Sequence, residues 1–152
     1  MTTSFAKLLA ALVRADVQFV TVGGVACVLN GHLRGTQDVD ILIEAEPSNI
    51  ERLLEVLRNW GEGYARELTA ADFPIEPGAV RVYEEFPLDI FTEMSGLTWP
   101  AVTAHLRWWH SAELAVPFLD APALIWTKEH SVRPKDQEDV RVLRHLASLP
   151  AA

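Results

Sequence analysis

Asp38 and Asp40, in the stretch DVDILIE, are like charges one residue apart, and thirteen residues separate them from the Gly23-Gly24 pair. Like carboxylates held close repel one another unless a cation sits between them. On an extended strand, residues two apart point the same way with side chains several Å apart, a spacing at which a hard divalent cation is shared. Mg2+ commonly takes one or two protein carboxylates and completes its shell with phosphate oxygens and water. A third acid on a neighbouring strand would allow two ions to be clamped, one activating an attacking oxygen and one stabilising a leaving oxygen. Asp89, in PLDIF, suits that place. Leu88 and Ile90 point to the opposite face, and a mid-strand carboxylate is costly to bury unpaired. The competing reading of Asp89 is an edge-strand acid paired with Arg34 or Arg81. The double glycine supplies the other half of a nucleotide site, because a glycine turn between a strand and a helix lets backbone N–H groups approach phosphates.

These residues need a scaffold, and the apolar pattern predicts one. The opening stretch, MTTSFAKLLAALVRAD, reads as an amphipathic helix capped near Ser4. VQFVTV (17–22) is β-branched and apolar, short enough for a strand, and runs into the glycines, after which VACVLNG reads as a helix. In DVDILIE, Asp38, Asp40, Leu42 and Glu44 share one face and Val39, Ile41 and Ile43 the other, so one face goes to the core and the other presents acids. Pro47-Ser48 opens a helix whose Ile50, Leu53, Leu54 and Leu57 form an apolar stripe and which Gly61 ends. The middle, EGYARELTAADFPIEPG, is assigned mostly to loop. AVRVYEE and PLDIFTE follow as adjacent antiparallel strands around Phe86-Pro87. TWPAVTAHLRWW reads as a short helix and ELAVPFLD as a strand, and APALIWTKEHS and PKDQEDVRVLRHLAS read as two helices joined around Arg133-Pro134. The expected fold class is α/β (α+β): a small mixed sheet flanked by helices, with a C-terminal helical segment, in a single domain over 1–152.

Composition narrows the setting. The 152 residues are 49% hydrophobic and 22% charged, and five tryptophans argue against disorder. Cys27 is the single cysteine, so no internal disulfide forms, and a reducing cytoplasm is the expected location. No apolar run reaches the ~18 residues that span a bilayer. A formal charge of −8 disfavours a phosphate backbone as the main partner. The one candidate basic patch, Arg133, Lys135, Arg141 and Arg144, is interrupted by Asp136, Glu138 and Asp139 and reads as a mixed-charge solvated helix.

Rival readings of the paired aspartates fail on spacing. A calcium loop of the EF-hand kind needs further oxygen ligands and a glycine at its sixth position, where here Ile41, Leu42 and Ile43 follow. Neither a P-loop lysine nor GxGxxG is present, so Walker and Rossmann chemistry are unsupported. Haloacid-dehalogenase phosphatases place the acid pair after a hydrophobic strand, whereas here polar RGTQ precedes it. Glycosyltransferases set a longer nucleotide-sugar region ahead of it than these 37 residues.

VGG, thirteen residues, DVDI and a later LDI together resemble the nucleotidyltransferase superfamily that includes DNA polymerase beta. The agreement is closer to its small bacterial and archaeal branch, related to abortive-infection toxins and minimal nucleotidyltransferase antitoxins. There the resemblance runs through VGGVACVLNGHLRGTQDVDILI and again through the closing FLDAPALIWTKEHSVRPKDQEDVRVL. It implies that Asp38, Asp40 and Asp89 bind Mg2+, with two ions expected, and that Asp89 helps activate an acceptor hydroxyl. It also implies that Gly23 and Gly24 line the triphosphate of a nucleoside triphosphate, that Arg34 and Thr36 shape its approach, and that Lys128 neutralises it. Lys135, Asp136 and Asp139 match the closing motif without a defined role, and a helix-capping or salt-bridge role for Asp136 stands beside a functional one. The implied reaction is transfer of a nucleoside monophosphate to a hydroxyl on a protein, an RNA or a small molecule. Size and charge raise a protein acceptor or toxin partner, and the alternative is an idle binding module that has kept the fold.

Several conspicuous residues are set aside. Cys27 reads as a core thiol and His32 as a turn histidine, Trp99, Trp108 and Trp109 as packing or an interaction surface, and His105 and His110 lack metal-ligand spacing.

Overall fold

Apolar side chains three and four apart close the first segment into α1 (Thr3–Arg14), which buries Phe5, Leu8, Leu9 and Leu12 against the sheet. This is seen in the computed structural model, which describes residues 1, 3–112 and 114–150. Ser4 lies inside this helix and donates to Glu85 (2.7 Å) instead of capping. β1 (Phe19–Val22) runs directly into α2 (Gly23–Leu29), so the glycines are the first helical residues and not a loop ahead of the helix. β2 (Val39–Ile43) carries Asp40, with Asp38 immediately ahead of its first residue, and α3 (Pro47–Arg58) begins with proline at its first position, where a missing N–H has no cost. α3 ends at Arg58, capped by Asn59, before Gly61 is reached. Within the expected loop, Tyr64–Glu67 and Ala70–Asp72 form single 3-10 turns.

β3 (Ala79–Tyr83) and β4 (Pro87–Phe91) form the expected antiparallel hairpin. The expected helix over TWPAVTAHLRWW is real only at its start: α4 (Trp99–Val102) passes through a 3-10 turn, and Leu106–His110 is strand β5. Trp108 and Trp109 favour the pleated surface, and β6 (Ala115–Leu119) lies alongside to pair with them. Glu113, at the start of the expected ELAVPFLD strand, lies outside the described residues. α5 (Ala121–Lys128) and α6 (Pro134–Ser148) close the chain.

The six strands form one mixed sheet in the order β3-β4-β2-β1-β6-β5, bearing out the expected class. Helices cover both faces. α1 and α3 bury Leu9, Leu12, Leu53 and Leu57 against Ile41 and Ile43, while α2, α5 and α6 bury Ala26, Leu124 and Leu143 against Val20, Val22 and Phe118. Leu42 joins that second core, so the acid-bearing face of β2 is exposed only at its N-terminal end, not along its length. α6 is solvated on one side, where Arg141 pairs with Glu138 (2.6 Å), but its other side buries Asp139, Val140 and Leu143.

One polar side chain joins the layers. Asn49 of α3 is fully buried, accepts from the Gln18 N–H (2.7 Å), and donates to the carbonyls of Gln18 (3.0 Å) and Glu44 (2.8 Å). It satisfies the ends of β1 and β2 where their ladder stops. Leucine of similar size would leave the Gln18 N–H and the Glu44 carbonyl without this partner, while the Gln18 carbonyl keeps the Glu44 N–H (3.2 Å), so Asn49→Leu is expected to lower unfolding free energy by about 2 kcal/mol. Urea titration with an unchanged slope would register it.

Candidate active site

The three acids meet because of strand register. β2 and β4 run parallel with Asp40 opposite Asp89, and Asp38, just ahead of β2, brings its carboxylate to the same place. One carboxylate oxygen from each of Asp38, Asp40 and Asp89 lies within 4.8 Å of the other two. Burial, and then repulsion from Asp38 and Asp89, pushes the Asp40 carboxyl up to about 7.

The glycines answer to the same crowding. β1 and β2 are antiparallel with Val22 opposite Asp40, so the next residue, Gly23, lies against the Asp40 carboxylate. A Cβ built at Gly23 would stand 2.1 Å from Asp40 Oδ2, and its φ of +63° favours glycine independently. A Cβ at Gly24 would stand 2.7 Å from Thr36 Oγ1. Thr36 in turn donates to the Asp38 carbonyl (3.2 Å), tying the RGTQ loop to the start of the acid strand.

Cations surround the acids. Arg81 Nε donates to Asp89 Oδ1 and Nη2 to Oδ2, each at 2.8 Å, and Nη2 lies 3.5 Å from Asp38. Asp89 is thus both paired with Arg81 and part of the acid cluster, but it stands on an interior strand between β3 and β2 and not on the edge that the competing reading supposed. Arg34 grips Asp139 through two bonds (2.7 and 2.9 Å). Lys128 bridges Asp136 and Asp139, each at 3.0 Å. Asp139 is fully buried. Burial raises its pKa, but hydrogen bonds from Arg34 and Lys128 outweigh that and hold it below the usual carboxylate range. Asp136 also accepts from Ser131 (2.7 Å), so its role as a salt-bridge anchor is realised while its capping role is not.

Gly23, Gly24, Arg34, Thr36, Asp38, Asp40, Asp89, Lys128, Lys135 and Asp136, far apart in sequence, all line one open cavity of about 310 Å³. Two further cations in it, Arg81 and Arg133, had not been singled out as site residues. Arg81 was legible as hairpin arithmetic: Tyr83 opposite Pro87 puts Arg81 opposite Asp89. Phe91 and Met94 add an apolar rim with no comparable signal in the sequence. The residues set aside stay outside this cavity. Cys27 is buried, and loss of solvation pushes its thiol up to about 11, leaving it protonated. His32 lies 3.2 Å from Asp139, and His105 pairs with Asp120 (3.0 Å), the N-cap of α5. Trp108 is exposed, while Trp99 and Trp109 pack on the cores.

Three carboxylate oxygens converging from two strands suit a hard divalent cation and not a soft one. The raised Asp40 marks the charge that such an ion would relieve. A divalent cation would be held by Asp38, Asp40 and Asp89, beside the cations Arg81, Lys128, Arg133 and Lys135 of the same cavity.

No family model matches the chain, and no curated protein matches it in sequence. Solved structures do match it in shape. The lincosamide antibiotic adenylyltransferase LnuA, bound to lincomycin, superposes with a TM-score of 0.64 at 16% identity, over 96% of this chain and 98% of that one. A Thermotoga maritima protein provisionally assigned as a nucleotidyltransferase superposes with a TM-score of 0.52 at 12% identity, over 95% of this chain and 90% of that one. The chain therefore has the nucleotidyltransferase fold.

Asp40 carries a pH prediction with a definite sign. Its proton is held to about 7 in the folded chain against 3.8 ordinarily, so stability falls as pH rises from about 4 to about 7, and the loss is complete above that. Without divalent cations at pH 8, Asp40→Asn is expected to exceed the parent in stability by on the order of 2 kcal/mol, converging with it at pH 4. Urea unfolding in chelator at both pH values measures this. Excess Mg2+ at pH 8 should raise the parent's midpoint more than the variant's.

Proposed function

We propose that this chain is a Mg2+-dependent nucleotidyltransferase, a single catalytic domain that moves a nucleoside monophosphate from a nucleoside triphosphate to an acceptor hydroxyl. The observation that carries the reading is the meeting of the Asp38, Asp40 and Asp89 oxygens within 4.8 Å, beside Gly23-Gly24, in a nucleotidyltransferase fold. Bound Mg2+, with two ions expected, would supply charge neutralisation at the α-phosphate and polarise the attacking and leaving oxygens. The chain's own groups do the rest. Gly23 and Gly24 admit the triphosphate close to the backbone, and Arg34 and Thr36 shape the loop beside it. Lys128 and Lys135 offset the charge that builds on the departing pyrophosphate. Asp89 receives the acceptor's proton as its oxygen bonds to phosphorus.

The acceptor is a small molecule, an RNA or a protein. Size, which raises a protein acceptor, does not weigh against a small-molecule one, because lincomycin-bound LnuA is spanned over 98% of its length. The charge of −8 weighs against RNA. A second reading is an idle module acting through a protein partner, as in a toxin–antitoxin pair in a reducing cytoplasm. What favours it is that Arg34, Arg81 and Lys128 are each already held by carboxylates.

Triphosphates labelled at the α-phosphorus, supplied with Mg2+ and separated protein, RNA and small-molecule fractions of a lysate, test the reading. Label is expected on one fraction with release of pyrophosphate, and Asp38→Asn with Asp40→Asn should lower transfer by about a thousandfold or more. Nucleotide binding indifferent to Mg2+ and to that double change would overturn the enzyme reading. Mg2+-dependent binding without transfer to any fraction would favour the module.

A further inference from the structure

Resting on that reading of the site, we propose that Arg81 is an internal competitor for the divalent cation, so that the cation is taken up together with the nucleotide and only weakly alone. Both oxygens of Asp89 are occupied by the Arg81 guanidinium at 2.8 Å, and the same group reaches Asp38 Oδ2 at 3.5 Å. Two of the three cation-binding carboxylates therefore already share one positive charge. A dication and a guanidinium repel at twice the strength of two single charges at the same distance, so they do not occupy the same pair of carboxylates. Titration offers no escape, because arginine stays charged.

Arg81 is built to leave. It stands on edge strand β3, opposite Asp89 by register, with its side chain 53% exposed. Arg34 and Lys128 are 15% and 11% exposed, and withdrawing either would take from the buried Asp139 one of its two charged partners. Arg81 alone of these three can swing away while the core stays shut. Its destination is in the same cavity, where a bound triphosphate offers oxygens in the planar two-point geometry a guanidinium prefers. The nucleotide thereby stabilises the displaced arginine, and cation and nucleotide each raise the other's affinity by the same factor. Divalent cations in the cell then do not occupy the site without substrate.

Mn2+ binding, followed by the electron paramagnetic resonance of the free ion, tests this with and without an ATP analogue carrying a non-hydrolysable α–β linkage. Arg81→Ala is expected to bind Mn2+ alone about tenfold more tightly than the parent, and to show a correspondingly smaller enhancement by the analogue. Arg81→Lys, which keeps the charge and loses the two-point grip, should fall between. Arg133→Gln removes a cation that lines the cavity but pairs with Asp136 and not with the acid cluster. It should change the binding of Mn2+ without the analogue by no more than about twofold, separating direct competition from general charge. Thermal unfolding confirms that each variant is folded. Mn2+ affinity in Arg81→Ala that is unchanged or weaker, or a tightening equalled by Arg133→Gln, would overturn the proposal while leaving the enzyme reading intact. Mn2+ binding that is absent with and without the analogue, or that survives Asp40→Asn undiminished, would instead overturn the reading of the site and this proposal with it.

Discussion

Repulsion among Asp38, Asp40 and Asp89 is the constraint around which this molecule is organised, because three carboxylates with oxygens inside 4.8 Å of one another are unfavourable unless the surroundings compensate. Each nearby feature answers to it. The parallel pairing of β2 with β4 imposes the closeness. Gly23 makes room for the Asp40 carboxylate where any side chain would collide with it. Arg81 bridges Asp89 and Asp38, and burial, with the repulsion that remains, shows as the raised pKa of Asp40.

A second layer holds the first in place. Asp139, fully buried on α6, ties together Arg34 from the loop before β2 and Lys128 from the end of α5. A buried carboxylate with this many donors contributes little net stability but is costly to break, so it fixes geometry more than it adds free energy. The C-terminal helix is thereby joined to the active face through charge as well as through the apolar contacts of Leu143. The cavity's cations consequently fall into two kinds: Arg34 and Lys128 are largely buried and held by carboxylates, while Arg81, Arg133 and Lys135 are exposed.

The likeness to LnuA at 16% identity, over nearly the whole of both chains, is a likeness of fold. What the fold needs is an alternating apolar strand on each side of the acids and helices to cover both faces, and many sequences meet that demand. What the site needs is a handful of positions: two glycines, three acids and the partners that restrain them.

From the sequence by itself, the acid pair, its common face, the glycine pair and the third acid were all readable, because a strand's period of two and glycine's lack of a side chain are local properties. The helices at both ends were readable for the same reason, through spacing of Leu and Ile. Strand β5, which the sequence reads as helix, was not, since Leu106–His110 is extended only because β6 lies beside it. Nor was the burial of Leu42, which depends on α2 and α5 covering the second face of the sheet. The charge partners were decided by the fold alone: Arg34 meets Asp139 across 105 positions of chain, and Lys128 meets Asp136 because two helices fold back on each other. Whether a cation serves a substrate or a neighbouring carboxylate depends on distances of a few ångströms between segments remote in sequence, and packing sets those distances where residue identity does not.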